Sequence, residues 1–513
     1  MGADADIPDD LAELLSRRAL TEDEARAEAV ARRRERGGRT ARENVADLID
    51  EGSWVEYGRY AIAPQRGRRE LDDLRANTPA DGMLAGTASV DGHPTAVLAY
   101  DYTVLAGTQG GIGHLKKDRM FELIERMRLP VVFFAEGGGG RPGDTDLPAV
   151  SALHVRAFAL WARLSGRVPR ISIVHGRCFA GNAVIAGCSD LIVATENVSI
   201  GMGGPAMIAG GGLGDVDPDE VGPVSMQEPN GVLDLVVADE AEAVAAAKRL
   251  LGYFRGPVGE WEAPDQIPLR RMIPEGSRRA YDVVPVLEQL ADAGSVTVLR
   301  PRFAPEMVTA LARIEGRPVG VIANNTMQMA GTITAAASDK ASRFLELCDS
   351  FGLAVVSLVD TPGYIVGPQY ERDALVRHAC RLIVAGASLT VPLVAVILRR
   401  AYGLGAQAMV GGSLHEPALT VAWPGANLGP MGLEGAVRLG LRKELEAIAD
   451  TDAREQRVRE VTAAAQENAK ALNAAQLFEI DDVIDPADTR QAIAATLTAA
   501  GRPVPSGRPV DPW

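Results

Sequence analysis

The stretch VHGRCFAGNAVIAGCSDLIVATENVSIGMGGP, Val174 to Pro205, sets out the pattern on which the chain is built. The apolar run Ile171 to Val174 reads as a strand that enters a glycine-bearing turn and then a helix of small side chains. At such a turn the backbone N–H groups of the helix start can approach a ligand closely. A second apolar run, Leu191 to Ala194, leads into Gly201-Met202-Gly203-Gly204-Pro205, which has almost no side-chain bulk. Two strands and two glycine loops thus frame one pocket.

Working outward, the surroundings of this stretch occur twice. HPTAVLAYDYTVLAGT from His93 matches RPVGVIANNTMQMAGT from Arg317, and LPVVFFAEGGG from Leu129 matches LAVVSLVDTPG from Leu353, each pair 224 residues apart. VPRISIVHGRCFAGNA then aligns with VPLVAVILRRAYGLGAQA after a one-residue slip, a reading that sets Ala180-Gly181 opposite Leu404-Gly405. The last block, LIVATENVSIGMGGP, matches ALTVAWPGANLGPMG more loosely. Short strands alternating with helices and joined by glycine turns describe an α/β domain, here built twice. The joint falls in the proline-rich segment between Phe254 and Gly276.

Composition excludes several classes. The 513 residues are 47% hydrophobic and 24% charged, which describes a globular chain of two or three domains. A formal charge of −15 argues against nucleic acid as a partner. The acidic start MGADADIPDD has no basic or apolar signal region, and no apolar run is long enough to span a bilayer, so no membrane is expected and a cytoplasmic location is. Cys178, Cys188, Cys348 and Cys380 lack metal or redox spacing and read as reduced thiols in apolar surroundings. EDEARAEAVARRRER reads as an exposed helix, and RGRRELDDLRAN as a solvated charged stretch.

Side-chain chemistry is sparse. His175 reads as a packed histidine, GGGGR at Gly137 to Arg141 lacks the lysine of a phosphate loop, and Asp144, Asp146 and Asp360 read as loop carboxylates without partners. What remains is backbone: adjacent amides at a helix start form an oxyanion hole. Two candidate holes, with no obligatory side-chain base, suit a reaction with two developing oxyanions.

From about Gly38 to Val483 the chain resembles the carboxyltransferase (β) subunits of biotin-dependent acyl-CoA carboxylases, in the crotonase superfamily. The residues that carry the resemblance are the Val174–Pro205 signature, GGRTARENVADLIDEGSWVE, DGMLAGTASVDGHPTAVLAYDYTVLAGTQGGIGHLKKDR, AEGGGGR, DTPGYIVG, LVRHACRLI, RRAYGLGAQAM and VAWPGANLGPMGLEGAV, in family order. The resemblance implies an α/β fold of two tandem crotonase-like (ββα superhelix) domains related by duplication. It divides the chain into an N-terminal helical arm (1–37), an acyl-CoA-side domain (38–265), a biotin-side domain (266–500) and a flexible tail (501–513).

The same resemblance implies roles for individual residues. The amides of Ala180 and Gly181 would hold the thioester oxygen of acyl-CoA and its enolate, and those of Leu404 and Gly405 the ureido oxygen of carboxybiotin, whose nitrogen would take the α-proton. His114, Lys117 (both expected on a loop), Gly138, Gly139, Arg141, Gly204 and Gln407 fall where the family binds substrate, with Gln407 tuning acyl-chain selectivity. Gly363, Tyr364 and Gly403 fall on the biotin side. Glu136 replaces the usual aspartate, Ala180 stands where a glycine is common, and Leu404 is bulkier than the usual small residue. None of Lys116, Lys117, Lys248, Lys340, Lys443 or Lys470 neighbours a methionine, so biotin is expected on a separate biotin carboxylase or carrier subunit. The family further implies a dimer-built homo-oligomer, commonly a hexamer, with no metal in this chain. The competing readings are a biotin-dependent acyl-CoA decarboxylase subunit, a non-catalytic assembly subunit and a crotonase-type hydratase; the last needs glutamates that Asn182–Ala186 and Pro205–Gly214 lack.

Overall fold

The computed structural model describes residues 7–513 apart from Pro148, Ser277 and Arg278. It divides into two compact units, one up to Gly252 and one from Tyr253 to Asp511.

In the first unit the strands are β1 (Val55–Glu56), β2 (Met83–Val90), β3 (His93–Tyr100), β4 (Val131–Phe134), β5 (Arg170–Val174), β6 (Arg177–Phe179), β7 (Leu191–Thr195), β8 (Ser199–Gly201) and β9 (Leu235–Val237). They form a seven-stranded sheet in the order β1-β2-β3-β4-β5-β7-β9, and β6 and β8 pair apart from it. Strands β4, β5 and β7 are buried along their whole length, as expected of parallel strands covered on both faces. Phe121, Phe133 and Trp161 centre the core, with Phe121 5.0 Å and Phe133 5.7 Å from the Trp161 ring.

The second unit contains β10 (Thr297–Leu299), β11 (Met307–Ile314), β12 (Arg317–Asn324), β13 (Ala354–Thr361), β14 (Leu393–Tyr402), β15 (Leu419–Ala422), β16 (Asn427–Gly429) and β17 (Asp482–Val483). The sheet runs β10-β11-β12-β13-β14-β15-β17, and β16 pairs with the end of β14 as β8 pairs with β6.

The duplication is visible in the register. Met83 faces Tyr100 in one hairpin and Met307 faces Asn324 in the other; Ala96 faces Val131 as Gly320 faces Val355. All are shifted by 224. Left-handed backbone outside glycine repeats too, at Ala80 and Ala304, Asp91 and Glu315, Leu105 and Met329, and Ala106 and Ala330. Two sequences adopting the same uncommon φ at the same steps are one fold used twice.

The shift drops to 223 at β5 and β14, where Val131 faces Arg170 and Val355 faces Leu393. It remains so at the turn: Gly137 bridges Cys178 as Thr361 pairs with Ala401. The equivalent of Ala180 is therefore Gly403, and that of Gly181 is Leu404. The sequence pairing of Ala180-Gly181 with Leu404-Gly405 is one residue out.

Buried lysines mark both repeats. The Lys116 ammonium donates to the carbonyls of Gly58, Ala80 and Met83, and Lys340 to those of Arg300, Phe303 and Ala304. Carbonyls turned inward by the left-handed residues Ala80, Arg300 and Ala304 are thereby satisfied.

Several local expectations need correction. The supposed exposed helix is a 3₁₀ turn (Asp23–Arg26) and a helix (Ala27–Glu35) whose inner stripe, Arg26, Val30 and Arg33, is buried or nearly so. The tail is held along the helix Ala335–Phe351: Ser506 N–H donates to Asp349 O at 3.0 Å, Ser350 Oγ donates to Arg508 O at 2.7 Å, and the Trp513 ring lies 5.2 Å from that of Phe303. Cys178 and Cys348 are buried, with burial pushing their thiols up, but Cys380 is exposed. Among the described residues no helix is long and apolar enough to cross a membrane, and no cluster of three His, Cys, Asp or Glu side chains is placed to hold a metal ion.

Candidate active site

In the first unit β6 ends at Phe179, and the helix Gly181–Gly187 begins two residues later. Ala180 makes the turn with φ 51° and ψ −123°, a conformation that costs an alanine on the order of 1–3 kcal/mol. Its N–H donates to Gly201 O at 3.1 Å. Ala180 therefore shapes the turn but does not offer its amide, contrary to the role implied by the resemblance. Gly181 occupies the first helical position, where no preceding helical carbonyl can accept its N–H.

The loop Gly137–Arg141 packs against this turn. Gly137 N–H donates to Arg177 O at 2.7 Å, and Phe179 N–H returns to Gly137 O at 3.0 Å. A Cβ on Gly139 would lie 2.8 Å from that of Ala180, and one on Gly204 would lie 3.1 Å from the Phe179 ring. Gly138, Gly139, Ala180, Gly181 and Gly204 thus form one small-residue surface around Phe179, and Gly204 starts the helix Pro205–Gly210.

The charged residues assigned to substrate lie behind that surface. Lys117 is fully buried; its ammonium donates to Gln109 Oε1 at 2.6 Å and to Tyr100 Oη at 3.0 Å. Burial lowers its pKa to about 7. Arg141 is locked to Asp81 and donates to the carbonyls of Asp81 and Thr108 at 3.1 Å each, leaving its side chain 3% exposed. His114 is half-buried against Phe158, and burial, with Lys117 and Arg141 nearby, lowers its pKa to about 3, so its imidazole is neutral at neutral pH.

His114 and Lys117 lie not on a loop but on the helix Gly111–Met127. Its glycine-rich first turn is capped by two distant carboxylates: Gly111 N–H donates to Asp144 Oδ2 at 2.8 Å and Gly113 N–H to Asp81 Oδ2 at 2.7 Å. Asp144 also accepts from Gln65, and Asp146 from the backbone of Arg66 and Gly67, so neither is without partners.

Glu136 joins Arg33, His175 and Glu240. Arg33 bonds Glu136 at 2.6 Å and Glu240 at 3.2 Å, and His175 Nδ1 lies 2.8 Å from Glu240 Oε1 with its side chain 2% exposed. A Cβ on Gly176 would collide with Glu136 Oε1.

The second unit repeats the turn with other side chains. Gly403 has φ 59° and starts the helix Gly403–Met409, and Leu404 follows with its side chain 65% exposed. Gly405 packs so closely that a Cβ would lie 2.7 Å from the Gly363 backbone. Gly363 O accepts from Ile333, Tyr364 Oη donates to Ala379 O at 3.0 Å, and burial pushes the Tyr364 phenol up. Gly403, Leu404 and Gln407 line a cavity of about 520 Å³ with Leu428, Pro430 and Leu477.

Beneath this turn Asp360, at the end of β13, is fully buried. It accepts from Arg399 at 2.9 Å, Arg400 at 2.6 Å and the Tyr281 hydroxyl at 2.9 Å. The sequence reading gave Asp360 no partner; its position opposite Glu136 in the repeat was the available signal, since both close a strand on a buried arginine.

A family model described as the carboxyl transferase domain matches residues 32–503. The chain belongs to the carboxyl transferase domain family. Its two units are the tandem crotonase-like domains of that family. Over 487 residues it is 33% identical to the methylmalonyl-CoA carboxyltransferase 12S subunit of Propionibacterium freudenreichii subsp. shermanii, covering 91% of this chain and 90% of that one. The structure of a single-chain, multi-domain long-chain acyl-CoA carboxylase is 53% identical, with a TM-score of 0.91 over 96% of this chain. This carboxyl transferase chain spans 49% of that longer polypeptide. The transcarboxylase 12S hexamer, solved with methylmalonyl-CoA bound, is 31% identical at a TM-score of 0.85, covering 98% and 96% of the two chains.

Proposed function

We propose that the chain is the carboxyltransferase subunit of a biotin-dependent acyl-CoA carboxylase, moving a carboxyl group from carboxybiotin on another chain to the α carbon of an acyl-CoA. The observation that carries the reading is the repeated turn, in which Ala180 and Gly403 share a positive φ just before Gly181 and Leu404, whose amides stand in the first turn of a helix.

The Gly181 N–H receives the thioester oxygen. As the α carbon loses its proton, charge gathers on that oxygen, and a fixed donor stabilises this enolate more than the ground state. The small-residue surface of Gly138, Gly139 and Gly204 lets a thioester reach the amide. In the second unit the Leu404 and Gly405 amides take the ureido oxygen. The cavity bordered by Leu404, Leu428, Pro430 and Leu477 offers apolar walls beside those donors, which suits a bicyclic urea. Carboxybiotin supplies the carboxyl group there. The glycine-rich loop Gly137 to Gly140 and neutral Gln407 favour a medium or long acyl chain over acetyl.

On this reading the chain works in the cytoplasm as a dimer-built hexamer with a biotin carboxylase and carrier subunit, and the four domain spans above, 1–37, 38–265, 266–500 and 501–513, are its functional divisions. The test incubates the purified chain with a carboxybiotinylated carrier protein and acyl-CoAs from two to sixteen carbons. Carboxylated CoA ester is expected, most from the longer chains. Transfer to none of them would leave the decarboxylase or assembly-subunit readings in its place.

A further inference from the structure

Lys117, Gln109 and Asn182 form an unbroken polar chain beneath the first-unit turn. The Lys117 ammonium donates to Gln109 Oε1 at 2.6 Å, and Gln109 Nε2 donates to Asn182 Oδ1 at 3.3 Å. That same oxygen accepts from Gly139 N–H at 3.1 Å, while Asn182 Nδ2 donates to the carbonyls of Glu136 at 2.8 Å and Gly107 at 3.2 Å. Asn182 is the second residue of the Gly181–Gly187 helix, so one side chain ties the helix start to the Gly137–Arg141 loop. A Cβ on Gly181 would lie 2.9 Å from Gln109 Nε2 and 3.0 Å from the Phe158 ring, which places the chain directly under the turn.

The second unit has no counterpart. The repeat sets Ala341, Ile333 and Gly405 opposite Lys117, Gln109 and Asn182, and there the Gly405 and Gly363 backbones meet directly. The polar chain is thus a feature of one turn, not of the fold.

We propose that Lys117 is a positioning residue for the acyl-CoA turn, acting through Gln109 and Asn182 to fix the Gly181 N–H against the Gly137–Gly139 loop. The proposal rests on assigning that turn to the acyl-CoA thioester. A buried ammonium orients Gln109 by a charge-assisted bond, roughly twice the strength of a neutral one. The groups facing it are Tyr100 on β3, Asp118 and His114 on its own helix, Asp81, and the rings of Tyr100 and Phe158. None is a carboxylate bonded to the ammonium, so the amide of Gln109 and the Tyr100 hydroxyl take its protons. Because burial holds Lys117 down to about 7, the grip on Gln109 weakens as pH rises through that value.

The test compares the full-length chain with Lys117→Met and with Gln109→Met, which spares the Lys117–Tyr100 contact and serves if Lys117→Met does not fold. Amide hydrogen exchange over residues 137–141 and 180–187 should quicken at least about tenfold, while residues 361–364 and 403–409 hold their rates. In carboxyl transfer, kcat should fall by about ten- to a hundredfold, the cost of a misplaced donor. The decline in kcat through about pH 7 should disappear in Lys117→Met. Unchanged exchange at 137–141 and 180–187, or an unchanged pH profile, would overturn the proposal. If the parent chain transfers no carboxyl group, the assignment of function fails instead, and the exchange comparison still decides whether Lys117 fixes the turn.

Discussion

Ala180 and Gly403 both have a positive φ, 51° and 59°, at equivalent steps of the two repeats. Glycine adopts this conformation without penalty, whereas the Ala180 methyl is held there by Gly139 on one side and the Gly201 hydrogen bond on the other. Ala180→Gly should therefore raise stability by up to about 1 kcal/mol with turnover kept within a few fold, while Ala180→Val should lower stability by more than that. Urea unfolding of the three proteins measures the difference. A destabilised Ala180→Gly would mean that the turn is not strained.

The Gly405–Gly363 approach leaves no room for a methyl group. Gly405→Ala should push the loop off the turn, cutting transfer at least about tenfold while thermal unfolding shows only a modest loss. Full activity in that variant would place the biotin-side donors elsewhere.

Asp360 is the carboxylate bonded to two buried arginines, so its removal leaves buried positive charge further uncompensated. Asp360→Ala is expected to cost about 3–5 kcal/mol, with Asp360→Asn intermediate because it keeps the Tyr281 contact. A loss below about 1 kcal/mol in chemical denaturation would show that Arg399 and Arg400 find other partners.

Lys116, Lys117 and Lys340 are each lowered by burial, to about 8, 7 and 7. The unfolded chain keeps lysine near 10.4, so between about pH 7 and pH 10 it binds more protons than the folded chain does. Stability from these groups consequently rises with pH across that window and is least below pH 7. His114, lowered to about 3, acts in the same direction between about pH 3 and 6.5. Differential scanning fluorimetry should show Tm a few degrees higher at pH 9 than at pH 6.5; a Tm that falls over this range would count against the buried ammonium groups.

The repeat was legible because parallel strands buried on both faces write themselves as apolar runs, and hairpin register preserved the 224-residue spacing from His93 to Val355. The turn was harder. RCFAGN and RAYGLG each offer more than one small residue to the left-handed position, and only the pairing of Cys178 with Gly137 and Ala401 with Thr361 shows that Ala180 matches Gly403. Ala180 was misread as a donor because its partner, Gly201, lies 21 residues on, beyond any local pattern.

Charged residues were the least legible. Lys117 and Arg141 look like ligand-binding cations in sequence, yet both are spent on the scaffold, and Asp360 found its partners only when β13 and β14 came together. The helix holding His114 and Lys117 was hidden by the glycines of GGIG, Gly110 before its first residue and Gly111 and Gly113 in its first turn, whose missing propensity is offset by caps from Asp81 and Asp144. Arg26, Val30 and Arg33 form an inner stripe at helical spacing, but with two arginines among many others Val30 is its one apolar mark.

The most direct measurement follows labelled carboxyl from a carboxybiotinylated carrier to acyl-CoA, for the parent chain beside Gly181→Pro. Proline is tolerated at a first helical position, and its carbon atoms would press on Gln109 Nε2 and the Phe158 ring, so the variant should fold with a modestly lowered Tm while lacking the N–H that receives the thioester oxygen. The account predicts labelled acyl-CoA product from the parent and about 100-fold less or lower from Gly181→Pro. Equal transfer by the two proteins would contradict it.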